Sequence, residues 1–121
     1  MNKIDIESLF DKWNTALQTG LAKKVTQLYA KDAILIPTIS ARTRRSHNEI
    51  EDYFILFQKN KPKGEINESY VRHLGKIAIH SGSYTFTFDD NSKTQARYTF
   101  VYRQDGNDWK IIEHHSSRFP E

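Results

Sequence analysis

Arg97-Tyr98-Thr99-Phe100-Val101-Tyr102-Arg103 alternates without a break between an aromatic set (Tyr98, Phe100, Tyr102) and a second set (Arg97, Thr99, Val101, Arg103). A period of two puts consecutive side chains on opposite faces of a pleated strand, so this run predicts a strand with two unlike faces. The same period extends outward on both sides. Glu65 to Leu74, Lys76 to Phe88, Thr94 to Arg103 and Trp109 to Ser117 read as four strands. Asp89-Asp90-Asn91 and Asp105-Gly106-Asn107 supply turn chemistry where hairpins are needed.

Before Gly64 the period is helical. Ile6, Leu9, Phe10, Trp13 and Leu17 form one apolar stripe, predicting a helix from about Ile4 to Thr19 that Gly20 closes. A second, shorter helix is expected with Leu21, Val25, Leu28 and Tyr29 on one face. Ala33-Ile34-Leu35-Ile36 reads as a short strand stopped by Pro37. Ser46-His47-Asn48-Glu49 is a capping box that opens a third helix, whose buried face is Ile50, Tyr53, Phe54 and Phe57. Three helices followed by hairpin-linked strands predict one α+β domain over residues 1–121, with the helices on one face of an antiparallel sheet.

Composition narrows the class. Apolar residues at 37% and charged residues at 27% of 121 fit a globular chain and exclude a disordered one. There is no cysteine, which excludes a disulfide framework and a thiolate metal site. No apolar run approaches the roughly 20 residues that span a bilayer, and Met1 to Asp5 does not begin a signal peptide. A cytoplasmic location with no membrane partner is therefore expected. The net charge of +3 is mild, so Arg42, Arg44, Arg45, Lys59, Lys61 and Lys63 read as solvated loops rather than a nucleic-acid surface.

Sorting by alternation places Tyr84, Phe86 and Phe88 opposite Ser83, Thr85 and Thr87. In the last strand it separates Lys110, Ile112, His114 and Ser116 from Trp109, Ile111, Glu113, His115 and Ser117. With helices covering one side, Tyr98, Phe100 and Tyr102 are expected on the other, beside His115. Such an aromatic patch predicts a homodimer formed sheet to sheet. Adjacent His114 and His115 point to opposite faces and cannot grip one ion, while His47, His73 and His80 are dispersed; no metal and no cofactor are expected. His114 has the reference pKa of a general acid or base, and equally suits a satisfied core position.

The order of elements and several strings resemble the nuclear transport factor 2-like superfamily. Within it, the chain is most similar to the association (hub) domain of calcium/calmodulin-dependent protein kinase II and its free-standing bacterial relatives. Leu28-Tyr29-Ala30-Lys31-Asp32-Ala33, Ile50-Glu51-Asp52-Tyr53-Phe54, Tyr84-Thr85-Phe86-Thr87-Phe88, the strand quoted first and Trp109 to Ser117 carry the likeness. It implies a cone-shaped, cystatin-like roll: a strongly curved sheet that encloses a cup, with dimers as the basic unit and larger rings in the kinase case. In the hub domain, basic inner-face residues make a pocket for a small carboxylate. The matching positions here are Tyr84, Thr99 and Ser116, with Arg97 one inward position away.

On that inner face Arg97, Tyr84, Thr99, His114 and Ser116 would converge with Trp13 and Tyr53 from the helices. The partner of Arg97 is then either a ligand's carboxylate or an internal acid such as Asp11 or Glu49. The expectation is a homodimeric domain that binds a small organic molecule, a carboxylate among the candidates, in an aromatic pocket. Two alternatives stand beside it: an isomerase, dehydratase or polyketide-cyclase-like enzyme using His114 or a helix carboxylate, and a ligand-free assembly module.

Overall fold

The computed structural model describes residues 3–38 and 40–120. Helix α1 spans Lys3–Gln18 and buries Ile6, Phe10, Trp13 and Leu17, the stripe expected from their spacing. Gly20, at φ 76°, lets the chain turn back after it. Helix α2 is only Ala22–Thr26. It stops early because Leu28 C=O accepts from Ile111 N–H at 2.9 Å, which draws Tyr29 into a strand. Leu28 and Tyr29 therefore do not extend the helical face predicted for them.

Strand β1 is Tyr29–Ile36, and helix α3 is His47–Phe57. Ser46 Oγ accepts from Glu49 N–H at 3.2 Å, as a capping residue should. The Glu49 carboxylate reaches past Ser46 to the amide of Arg45 at 3.0 Å. Helix α3 then lays Ile50, Tyr53, Phe54 and Phe57 onto the sheet.

Strands β2 (Lys63–Leu74), β3 (Ile77–Thr87), β4 (Lys93–Asp105) and β5 (Asp108–Arg118) form an antiparallel meander. The full order is β1-β5-β4-β3-β2, with β1 joining β5 in parallel through pairs such as Leu35 with His114. Register shifts at Asn67 in β2 and at Ile112 in β5 insert unpaired residues. Bulges of this kind bend a strand and increase its twist, and here they curl the sheet around α1 and α3. At the first bulge the two backbones nearly touch: a Cβ built on Gly82 would lie 1.9 Å from the carbonyl oxygen of Glu68. No helix among the described residues is long and apolar enough to cross a membrane.

The faces of β4 are the reverse of those expected. Tyr98, Phe100 and Tyr102 are 2%, 0% and 2% exposed and pack in the core, while Arg97 lies on the outer, convex face. The reason is register: Tyr98 sits beside Ser116 and Phe100 beside His114, so these rows share the concave side with α1 and α3. The bulge at Ile112 also breaks strict alternation in β5, which lets Ile111 and His114 both face inward. Helix residues Phe10, Trp13 and Phe54 need apolar partners. Phe100 of β4 supplies one to Phe10 and to Trp13, Phe54 packs on Trp13, and the rings bury one another.

Candidate functional site

The floor of the cup is a row of rings on three neighbouring strands: His80 on β3, Phe100 on β4 and His114 on β5. His114 stacks on Phe100 with centroids 4.0 Å apart, and Trp13 meets both rings edge-on. Buried polar groups in such a setting are costly unless they are all paired. Those around His114 are paired in one directed chain. Trp13 Nε1–H donates to Tyr29 Oη at 3.1 Å, and an indole can only donate. The Tyr29 hydroxyl keeps its own proton and lies 2.8 Å from His114 Nδ1.

On the other side of the imidazole, Tyr84 O–H donates to Ser116 Oγ at 2.5 Å. Tyr84 must then accept from His114 Nε2–H, at 3.3 Å. Thr38 Oγ1 closes the chain onto Ser116 Oγ. With Nε2 as the donor and the ring neutral, Nδ1 accepts the proton of Tyr29. Burial, with His115 adding to it, pushes the His114 pKa down to about 3, so the ring is uncharged at neutral pH. Burial also raises the phenols of Tyr29 and Tyr84 well above their usual range, which keeps them protonated donors.

Above this floor the cup is nearly full. The cavity bounded by Tyr84, His114, Ser116, Thr38, Phe57 and Phe88 offers about 20 Å³ to the centres of water molecules. That is room for one or two waters; organic ligands generally occupy pockets of roughly 300–1,000 Å³. Among the described residues no Asp, Glu, Lys or Arg lines it.

The residues predicted for the site divide into two groups. Trp13, Tyr53, Tyr84, His114 and Ser116 do meet in the cup. Arg97 and Thr99 do not: they lie on the convex face, with the Arg97 guanidinium 5.3 Å from the ring centre of Phe119 and Thr99 paired with His115. Asp11 is exposed, and Glu49 is engaged at the start of α3, so neither serves the cup as an acid. Tyr98, Phe100 and Tyr102 are core residues and have no surface to offer a partner. His115 is exposed on the convex side. Arg97→Ala is expected to change stability in urea by less than about 0.5 kcal/mol, as exposed positions do. A loss of 2 kcal/mol or more would mean that Arg97 has a buried partner.

Sequence reasoning missed four participants. Tyr29 was assigned to a helix, and Thr38 follows Pro37 in an unpatterned loop. Arg44 is 6% exposed, stacked 5.5 Å above Tyr53 and held by the carbonyls of Arg42 and Glu49 and by Ser40 Oγ. His80 is fully buried. Its Nε2 donates between Ser69 Oγ at 2.9 Å and Tyr98 Oη at 3.0 Å, because those hydroxyls donate onward to Glu7 and to the Glu68 carbonyl. Among the described residues its Nδ1 has no hydrogen-bond partner. Burial lowers the His80 pKa, with Glu7 opposing. One signal was available for this group: a histidine alternating with Ala78 and Tyr84 on the aromatic side of β3.

Comparison with known proteins bears on the family. The model of the calcium/calmodulin-dependent protein kinase II association domain matches residues 2–120. A candidate association domain of this type from Xanthomonas campestris is 48% identical, covers 97% of this chain and 87% of its own, and superposes with a TM-score of 0.93. A candidate dehydratase of the nuclear transport factor 2-like family from Streptomyces avermitilis is 13% identical, over 98% of this chain and 96% of its own, at a TM-score of 0.86. A candidate aromatic ring hydroxylase from Novosphingobium aromaticivorans is 17% identical, over 98% and 90%, at 0.80. At such identities the last two show a shared fold and no shared activity. No curated protein sequence matches. The chain belongs to the calcium/calmodulin-dependent protein kinase II association domain family.

Proposed function

We propose that this chain is a self-associating domain whose convex sheet face packs against the same face of a second copy, while its cup is filled core. The observation that carries the reading is the contrast between the two faces. The concave side has almost no free volume. The convex side carries two rows, Ile79–Val101–Glu113–Ile34 and Ser81–Thr99–His115–Ile36, in which Ile34 is 36% exposed and Ile36, Ile79 and Val101 are half-buried. A continuous, mostly uncharged surface of this kind marks an interaction site, and a closed two-fold pair is the commonest arrangement of identical chains. The family's description as an association domain supports the same reading.

The ligand and enzyme readings have less to stand on. A carboxylate entering the cup would meet no Lys or Arg among the described lining residues, and both ring nitrogens of His114 are already engaged, so the imidazole has no free lone pair to take a substrate proton. Light scattering at micromolar concentration should give at least twice the 14.2 kDa chain mass. Val101→Asp, which puts a charge beside Glu113 at the centre of the face, should lower that mass without unfolding the chain. A wild-type monomer, or a Val101→Asp protein of unchanged mass, would refute the convex-face contact.

A further inference from the structure

The two edges of the sheet are treated differently. The outer side of β1 is occupied: Leu35 and Arg44 exchange main-chain hydrogen bonds of 2.9 and 2.8 Å. The outer side of β2 is closed only at its start, where the Asn14 side chain accepts from Gly64 N–H and donates to Gly64 C=O, both at 2.9 Å. Beyond the bulge at Asn67, residues 68–74 make no main-chain to main-chain hydrogen bond outside the β2–β3 ladder among the described residues, and the Glu68 carbonyl is taken by Tyr98 O–H. An open edge of this length is a template for another strand, and proteins usually blunt it with proline, an inward charge or a cover. This stretch has no proline or glycine, and it leaves Tyr70 60% and Leu74 59% exposed.

Its sequence is complementary to itself. Glu68, Tyr70 and Arg72 alternate along the outward row of β2, and Glu68 is held in place by Tyr70 O–H at 2.9 Å and Ser83 O–H at 3.0 Å. If two copies of β2 run antiparallel with a two-fold axis at Tyr70, Glu68 lies opposite Arg72 on both sides of the axis. Tyr70 then faces Tyr70, and Ser69 faces Val71. No other antiparallel register sets that opposite-charge pair. The registers centred on Glu68 or on Arg72 put like charges directly opposite, which is destabilising. Arg72 is exposed and has no hydrogen-bond or ion-pair partner among the described residues.

We propose that residues 68–72 of β2 pair antiparallel with the same residues of a second copy, joining two five-stranded sheets into one across a two-fold axis at Tyr70. The proposal extends the self-association reading by adding a second contact. Two different two-fold contacts on one chain build an assembly larger than a dimer, which closes with dihedral symmetry when the two axes intersect.

The absence of cysteine allows a direct test. Residues directly opposite in an antiparallel pair have Cα atoms about 4.5–5.5 Å apart, within disulfide reach. Under mild oxidation Tyr70→Cys should form a covalent dimer on a non-reducing gel. Arg72→Glu in that background should lower the cross-linked fraction roughly tenfold, and adding Glu68→Arg should restore it. A Tyr70→Cys protein that stays monomeric, or a double reversal that cross-links no better than the single change, overturns the edge pairing.

The same series on Val101→Asp separates the two contacts. Cross-linking that persists there supports the edge, and it does so even if Val101→Asp leaves the mass unchanged and the convex-face contact fails. Cross-linking that disappears with Val101→Asp assigns the proximity of Tyr70 to the convex face and rejects edge pairing.

Discussion

Between pH 7.0 and pH 4.5 the protein is expected to lose about 2.5 kcal/mol of stability through His114 alone. The unfolded imidazole titrates near 6.5, whereas burial holds the folded one down at about 3. Above pH 6.5 both states carry a neutral ring and the group contributes nothing to the pH dependence. Below it the unfolded chain binds a proton that the folded chain refuses, so stability falls by about 1.4 kcal/mol per pH unit until the folded pKa is reached. His80, also lowered by burial, adds to the same side.

Urea unfolding at pH 7.0 and 4.5 measures the effect. His114→Gln separates it from the carboxylates: it should be less stable at pH 7, since Tyr29 and Tyr84 lose a partner matched to both, yet flatter in pH by about the amount named. Equal slopes for the wild type and His114→Gln would show that His114 is not buried neutral.

Gly82→Ala is expected to destabilise by at least about 3 kcal/mol, lowering the melting temperature by roughly 10 °C or more. The new Cβ would lie 1.9 Å from the Glu68 carbonyl oxygen and 2.6 Å from its carbon, with Tyr98 Oη at 3.0 Å. A side-chain clash can be relieved by a rotamer change, but here the obstacle is backbone in the adjacent strand. Separating β2 from β3 would also break the Tyr98 bond to Glu68 C=O and disturb the Ser69–His80 contact. Gly106→Ala separates the clash from backbone strain: φ there is 65°, but a Cβ meets nothing within 4 Å among the described residues, so only the left-handed cost of about 1 kcal/mol is expected. Calorimetry showing similar melting temperatures for the two variants would mean that the β2 bulge can slide.

The elements that local pattern dictates were legible in the sequence. The α1 stripe, the Ser46 cap and the four meander strands follow from side-chain period and turn chemistry alone. What was not legible depends on distant partners. Tyr29 leaves the helix because Ile111 claims the carbonyl before it, and its hydroxyl then meets a histidine 85 residues away. Alternation told which side chains of β4 belong together and gave no means of choosing their side. Taking Arg97 as an inward cation chose the wrong one. Arg44 escaped notice because its charge is met by carbonyls and a ring face, with no acid to mark it.

The position of β5 carries a consequence for how the cup is made. Although β5 follows the other four strands in sequence, it lies between β1 and β4 and hydrogen-bonds to both. Until it is inserted, β1 has no ladder partner apart from Arg44, and Trp13 and Tyr29 lack the imidazole that completes their chain. Closure therefore waits on contacts of long sequence separation, which carry a large loop entropy and form slowly. In the interval β4 keeps one unpaired edge, and the Phe100 ring lacks the His114 ring that stacks on it. The last strand thus supplies both the ladder that β1 needs and the one imidazole on which the buried polar chain closes.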